Sequence, residues 1–393
     1  AGVRAKGDIA LRQFSREFDG VELDELLVSE DEFIGADAEV SQELKDALTI
    51  AKANIEKFHA LAEEDLRKLE TTPGVHCWKR SLPIEKVGLY IPAGSAPLFS
   101  TVLMLAIPAK LAGCREIVMC SPPDKNGKVN AATLYAARLC GVTKVFKIGG
   151  AQAVAAMAFG TGSLPRVHKI FGPGNQYVTE AKLQVMRDGI AIDMPAGPSE
   201  VAVLADESCI PAFVAADLLS QAEHGPDSQV VLVTTSQDVI DEVLEEVARQ
   251  VEALPRQDTA KAALNNSKAI LVRTVDEGVD LLNEYAAEHL ILAVSDAETI
   301  AESIKNAGSI FIGNYSCESA GDYASGTNHT LPTNGAARAF SGVSTASFMK
   351  TVTYQQISED GIRNLGPVIE TMAAAEGLEA HRIAVAVRRE YLG

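Results

Sequence analysis

Positive charge is scarce in this chain. Its 393 residues carry 35 Lys and Arg against 53 Asp and Glu, a net charge of −18, which argues against nucleic acid and anionic membranes as partners. Cysteine is sparse as well. Six are scattered without CxxC spacing (Cys77, Cys114, Cys120, Cys140, Cys209, Cys317) and read as reduced, mostly buried thiols of a cytoplasmic protein. Long apolar runs are missing. The most apolar stretch, STVLMLAIPAKLAG, is short and carries Pro108 and Lys110, so no membrane span is expected. The chain opens at AGVRAKGDIALRQF, without Met and already in a helical pattern, so no targeting segment can be read from it.

What is present suits an α/β protein. A hydrophobic content of 47% supplies ample core, and the length exceeds what one core usually covers, so two or more domains are expected. The first ~70 residues follow a helical pattern that TTPG (71–74) breaks. From about residue 85, the apolar runs VGLYIP, EIVMC, KVFKI and HKIF alternate with helical segments. A second series begins at VAVLAD and continues through VVLVTT, AILVRT, HLILAVS and SIFIGN, with the switch near IDMPAGPSE. Such alternation predicts two parallel, helix-covered sheets. After about 340 the strand pattern fades into two helical stretches, an appendage that either packs on its own chain or dimerises.

Four of the seven histidines sit among polar residues able to bind a metal. Gln221 and His224 fall in the last turn of a helix that Pro211 opens and Gly225-Pro226 close; unsatisfied carbonyls there favour a cation. Taken alone, the same pair reads more readily as a capping His and a solvated Gln. Glu288 and His289 stand at the mouth of the strand LILAVS, where a carboxylate and an imidazole tune each other for proton transfer, or simply end a surface helix. Asp322 and His329 share the long polar loop SCESAGDYASGTNHTLPT, of the kind that carries binding groups, although Asp322 also suits a turn. Gly377 separates Glu376, ending one helix, from His381, beginning the next. The glycine turns of KVFKIGGAQ and HKIFGPGNQ expose N–H groups to which a phosphate can bind, yet neither fits G-x-G-x-x-G. The segment TNGAARAFSG carries no assignable feature.

Taken together, GLYIPAGSAPLFSTVLMLAIPA, GGAQAVAAMAFGT, KIFGPGNQYVTEAK, IDMPAGPSEVAVLAD, DLLSQAEHGPDSQ, EHLIL, ESAGDYASGTNHTLPT and AAAEGLEAH resemble the histidinol dehydrogenase family, from about residue 2 to about 390. The resemblance implies oxidation of L-histidinol to L-histidine through the aldehyde, in histidine biosynthesis, with two NAD⁺ reduced. It implies zinc on Gln221, His224, Asp322 and His381. The metal holds the substrate's imidazole and amino nitrogens, which explains the unusual Gln ligand. Glu288 and His289 match the catalytic pair: His289 takes the alcohol proton, and Glu288 helps activate water on the aldehyde. Ser199, Glu376 and His329 fall where the family contacts substrate, and Tyr90, Gln152 and Asn175 match its NAD contacts.

The likeness also implies a division of the chain. One α/β domain is built from 1–85 and 200–340, with the zinc and catalytic residues, and a second from 86–199 on the NAD side; both are incomplete Rossmann-like folds. Residues 341–393 form a small region swapped across a homodimer, so that Glu376 and His381 complete the partner's site. A zinc hydrolase on the same frame, or a non-catalytic metabolite-binding dimer, would keep many of the same residues.

Overall fold

Apolar runs bounded by glycine and proline turns become the strands of two parallel sheets, the central ones buried on both faces. The structure, a computed structural model, describes residues 1–60, 68–93, 97–195 and 197–393. The expected helical pattern beyond residue 60, the GSA of GLYIPAGSAPLF and the Ala of IDMPAGPSE lie outside them. Two compact units result: Ala1–Leu61 with Ile84–Phe348, and Ala62–Pro83 with Met349–Gly393.

In the smaller unit, β1 (Leu69–Thr72) and β2 (Val75–Pro83) form a hairpin around the expected break at Pro73-Gly74. In the larger unit, the first sheet contains β3 (Lys86–Tyr90), β4 (Glu116–Ser121), β5 (Lys144–Lys147), β6 (Lys169–Phe171) and β7 (Ala191–Ile192), all parallel in the order β5-β4-β3-β6-β7. The second contains β8 (Glu200–Ala205), β9 (Gln229–Thr234), β10 (Lys268–Leu271), β11 (His289–Ala293) and β12 (Ser309–Ile312), parallel in the order β10-β9-β8-β11-β12. Numbered within each sheet, both orders read 3-2-1-4-5, five strands of the six-stranded Rossmann arrangement. The expected pair of incomplete Rossmann-like sheets is therefore present. Every residue of β8 and β11 is buried, and each Val, Leu or Ile among them contributes roughly 1.5–3 kcal/mol.

Beyond residue 340 the structure corrects the expectation of helices alone. β13 (Met349–Ile357) pairs antiparallel with β2 over nine residues, from Met349↔Pro83 to Ile357↔Val75, and Trp78 stacks on Tyr354 at 5.3 Å. Both strands are largely polar and half-exposed, so they lack the apolar signal that marked the other sheets. The two C-terminal helices follow at Glu359–Ala375 and Glu379–Tyr391. Gly377, at φ 71°, makes the left-handed turn between them, leaving Met372, Ile383, Val387 and Tyr391 exposed.

Candidate active site

The helix Val275–Tyr285 ends on Ala286 in the left-handed conformation (φ 56°), and three residues later, at His289, the chain enters β11. That sharp entry delivers Glu288 and His289 to the N-terminal edge of the second sheet, both buried, at 5% and 3% exposure. Gly308 lies so close that a Cβ there would stand 2.5 Å from the Glu288 carbonyl oxygen; a side chain at 308 would push the pair out of place.

Around His289 the partners are specific. Its Nδ1 stands 3.3 Å from the Glu200 carbonyl oxygen, 3.7 Å from Glu288 Oε2 and 3.9 Å from Glu318 Oε1. A carbonyl oxygen only accepts, so Nδ1 carries the proton. Nε2 is then the basic nitrogen, and it faces Asp322 Oδ1 at 3.3 Å, angled so that neither atom completes a hydrogen bond. Although burial opposes charging the ring, the carboxylates of Glu288, Glu318 and Asp322 raise the His289 pKa to about 10. Burial pushes Glu288 up to about 7, against the pull of His289.

Gln221 occupies the last turn of the helix Pro211–Ala222 with 1% exposure. Both of its side-chain polar atoms lack partners, as do Asp322 Oδ1 and Glu318 Oε2; leaving such atoms orphaned costs about 1–3 kcal/mol each unless a ligand or ion satisfies them. His224 follows the helix end, its N–H bonded to the Gln221 carbonyl at 3.2 Å. It is open to solvent on one side, and desolvation on the other lowers its pKa. Donor atoms of His224, Glu318 and Asp322 lie within 4.8 Å of one another. An N/O donor set of this kind fits a divalent cation.

His329 is engaged at both nitrogens. Nδ1 donates to the Asp322 carbonyl at 2.9 Å, which leaves Nε2 to accept from Thr101 Oγ1 at 3.1 Å. Its visible task is to hold the Asp322 backbone. Ser199 lies half-buried just before β8. Glu376 and His381 belong to the smaller unit, exposed on either side of Gly377.

At the first sheet, Tyr90 ends β3, its hydroxyl accepting from the Gly150 N–H at 3.0 Å; burial pushes its pKa up to about 12. Gln152 is buried in the helix Gly150–Phe159. Asn175 caps the helix Gln176–Arg187, accepting from Tyr177 and Val178 N–H at 3.1 and 3.2 Å. These residues stand at the C-terminal edge, where β3 separates β4 from β6 and open α/β sheets hold their ligands. The hydroxyl of Ser121, ending β4, is buried there without a partner, and the edge fits a dinucleotide.

Several residues emerge that the motifs did not single out. Glu318 lies four residues before Asp322 on the short helix Glu318–Tyr323, a spacing that would have revealed it. Asp217 lies four before Gln221; burial raises its pKa to about 6, opposed by the Glu318 N–H. Glu200 touches both members of the Glu288–His289 pair. Lys182 and Asp193, both buried, pair at 2.5 Å and hold Gly172 at both ends of its peptide unit, at 2.9 and 2.8 Å.

The comparisons with known proteins decide the family. The histidinol dehydrogenase family profile matches residues 1–389. The chain belongs to the histidinol dehydrogenase family. A histidinol dehydrogenase of Bacteroides thetaiotaomicron is 59% identical over 386 residues, 98% of this chain and 90% of that protein. The crystal structure of histidinol dehydrogenase from Elizabethkingia anophelis superposes with a TM-score of 0.97 at 54% identity, covering 99% of this chain and 90% of the other. An acetylating aldehyde dehydrogenase from Geobacillus thermoglucosidasius, at 15% identity and a TM-score of 0.53 over 88% of each chain, shares the fold alone. Among the described residues of this family member, no helix is long and apolar enough to cross a membrane.

Proposed function

We propose that this protein oxidises L-histidinol to L-histidine through L-histidinaldehyde, reducing two NAD⁺, as a zinc-dependent cytoplasmic homodimer. The observation that carries the reading is His289, buried with Nδ1 committed to the Glu200 carbonyl and Nε2 directed toward Asp322, in a chain that belongs to this family. The six free thiols suit a reducing compartment.

In this reading Gln221, His224 and Asp322, with His381 from the partner copy, hold zinc. Ser199, His329 and the partner copy's Glu376 border the substrate, and Tyr90, Gln152 and Asn175 contact the dinucleotide. A bound divalent cation supplies the substrate template and offsets the carboxylate charge that otherwise keeps His289 protonated, while NAD⁺ supplies the hydride acceptor. His289 Nε2 accepts the alcohol proton in the first oxidation, and its fixed Nδ1–H keeps the ring aligned. Glu288, its pKa near 7, is suited to accept a proton from water adding to the aldehyde in the second. Burial of both groups excludes bulk water.

Incubating the zinc-loaded protein with L-histidinol and NAD⁺ tests this directly. Two NADH per histidinol, read at the NADH absorption band, are expected, and a chelator should abolish them. Histidinol binding without NADH would instead indicate a metabolite-binding dimer, and zinc-dependent hydrolysis would indicate a hydrolase. Mixing His289→Asn with His381→Asn chains should restore partial activity if sites are shared between copies.

A further inference from the structure

We infer that Glu200 is a positioning residue for the Glu288–His289 pair, and that the Thr333-Asn334 turn of the segment TNGAARAFSG holds it in place. The inference rests on the proposed catalytic role of that pair. One peptide segment meets both members: the Glu200 N–H donates to Glu288 Oε2 at 3.0 Å, and the Glu200 carbonyl faces His289 Nδ1 at 3.3 Å. Moving this backbone would therefore reorient the carboxylate and the imidazole together.

The backbone of residue 200 is secured on one side by the β8 ladder, where Glu200 pairs with Gln229. On the other side it enters from the turn at 197–199, where the β9 ladder reaches only as far as the Ser199 carbonyl, which accepts from the Gln229 N–H at 3.2 Å. Two bonds from a distant segment secure it there. Gly197 N–H donates to Thr333 Oγ1 at 2.5 Å, and Asn334 N–H donates to Glu200 Oε1 at 3.0 Å. Asn334 adopts φ 55°, a left-handed geometry that Asn tolerates better than most residues and that helps direct its N–H at the carboxyl.

Stability alone is a poor reason for this carboxyl. Glu200 is 8% exposed, and its second oxygen has no partner, an arrangement that penalises folding. A group retained at such a penalty on the backbone that frames a candidate catalytic pair is best understood as fixing geometry. Burial also raises the Glu200 pKa, so a neutral acceptor of the same length should serve equally well.

Glu200→Ala, Glu200→Gln, Thr333→Val and His289→Asn, each loaded with zinc, test the inference through kcat, both KM values and metal content. Glu200→Ala should lower kcat roughly 10- to 100-fold with both KM values within about 3-fold and zinc unchanged. Glu200→Gln, which keeps the acceptor for Asn334, should recover kcat to within about 3-fold of the parent, and Thr333→Val should fall roughly 3- to 10-fold. A Glu200→Ala enzyme as fast as the parent, or a Glu200→Gln enzyme as slow as the alanine variant, overturns the inference. If Glu200→Ala does not fold, Thr333→Val decides: parental kcat overturns the inference, and a selective fall in kcat supports it. His289→Asn separates the two readings. If it turns over normally, the catalytic pair was misassigned; if it is slow while Glu200→Ala is fast, only the positioning role fails.

Discussion

The two parallel sheets share one strand order yet present opposite edges to their candidate ligands. The first collects Tyr90, Ser121 and Asn175 at its C-terminal edge, the usual place for a ligand on such a sheet. The second brings Glu200, Glu288 and His289 together at its N-terminal edge. Their handling of buried charge differs too. In the first, Lys182 is matched by Asp193 and Lys147 by Glu32. In the second, Glu200, Glu288, Glu318 and Asp322 crowd around backbone N–H groups and imidazoles. Paired charges make a rigid cradle; crowded carboxylates make a site that takes up a cation or a proton. In the proposed reading one topology serves two purposes, because local charge rather than strand order sets the chemistry.

The largest expected effect is on the second sheet. His289→Asn should slow turnover roughly 10²- to 10⁴-fold, with bound zinc and the KM for NAD⁺ unchanged; a rise in that KM would blur the separation of roles between the sheets. On the first sheet, Lys182→Met strands Asp193 as a buried charge and should destabilise the protein by roughly 3–5 kcal/mol, read from denaturant unfolding. Its surviving activity should show a raised KM for NAD⁺ and a normal zinc content. Tyr90→Phe removes the acceptor for the Gly150 N–H and should cost about 0.5–1.5 kcal/mol, seen as a few-fold weaker NAD⁺ binding in titration calorimetry.

The remaining effect is the pH dependence set by Asp217. Burial raises its folded pKa to about 6, above the unfolded value of about 3.9. The stability it contributes is therefore present below about pH 4 and is lost as pH rises through about 6. Asp217→Asn keeps an acceptor for the Glu318 N–H but cannot ionise. Its melting temperature relative to the parent should improve between pH 4 and 7.5, and a pH-independent difference would contradict the burial argument.

How much was legible follows from where the signal lay. The strands of both sheets, apart from the two-residue β7, could be read because buried parallel strands must be continuous apolar runs, as VAVLA and HLILA are. β1, β2 and β13 could not, because LETT and MKTVTYQQI are mostly polar, VHCWKRSLP mixes polar with apolar residues, and the long partner of β2, β13, lies more than 250 residues away. Within the site, His224, Asp322, Glu288 and His289 announced themselves through motif and residue type, and the structure gathers them. Glu200 and Asp217 did not. In sequence they are ordinary acids among many, and only their burial sets them apart. The role of TNGAARAFSG was equally hidden, since its contacts with Gly197 and Glu200 are tertiary.

The most direct test of the account is anomalous diffraction at the zinc edge from crystals grown with zinc, L-histidinol and NAD⁺. The account predicts one ion on Gln221, His224 and Asp322 at the N-terminal edge of the second sheet, beside His289, with the dinucleotide at the C-terminal edge of the first. An ion bound elsewhere, with Gln221 and Asp322 still unligated, would contradict it.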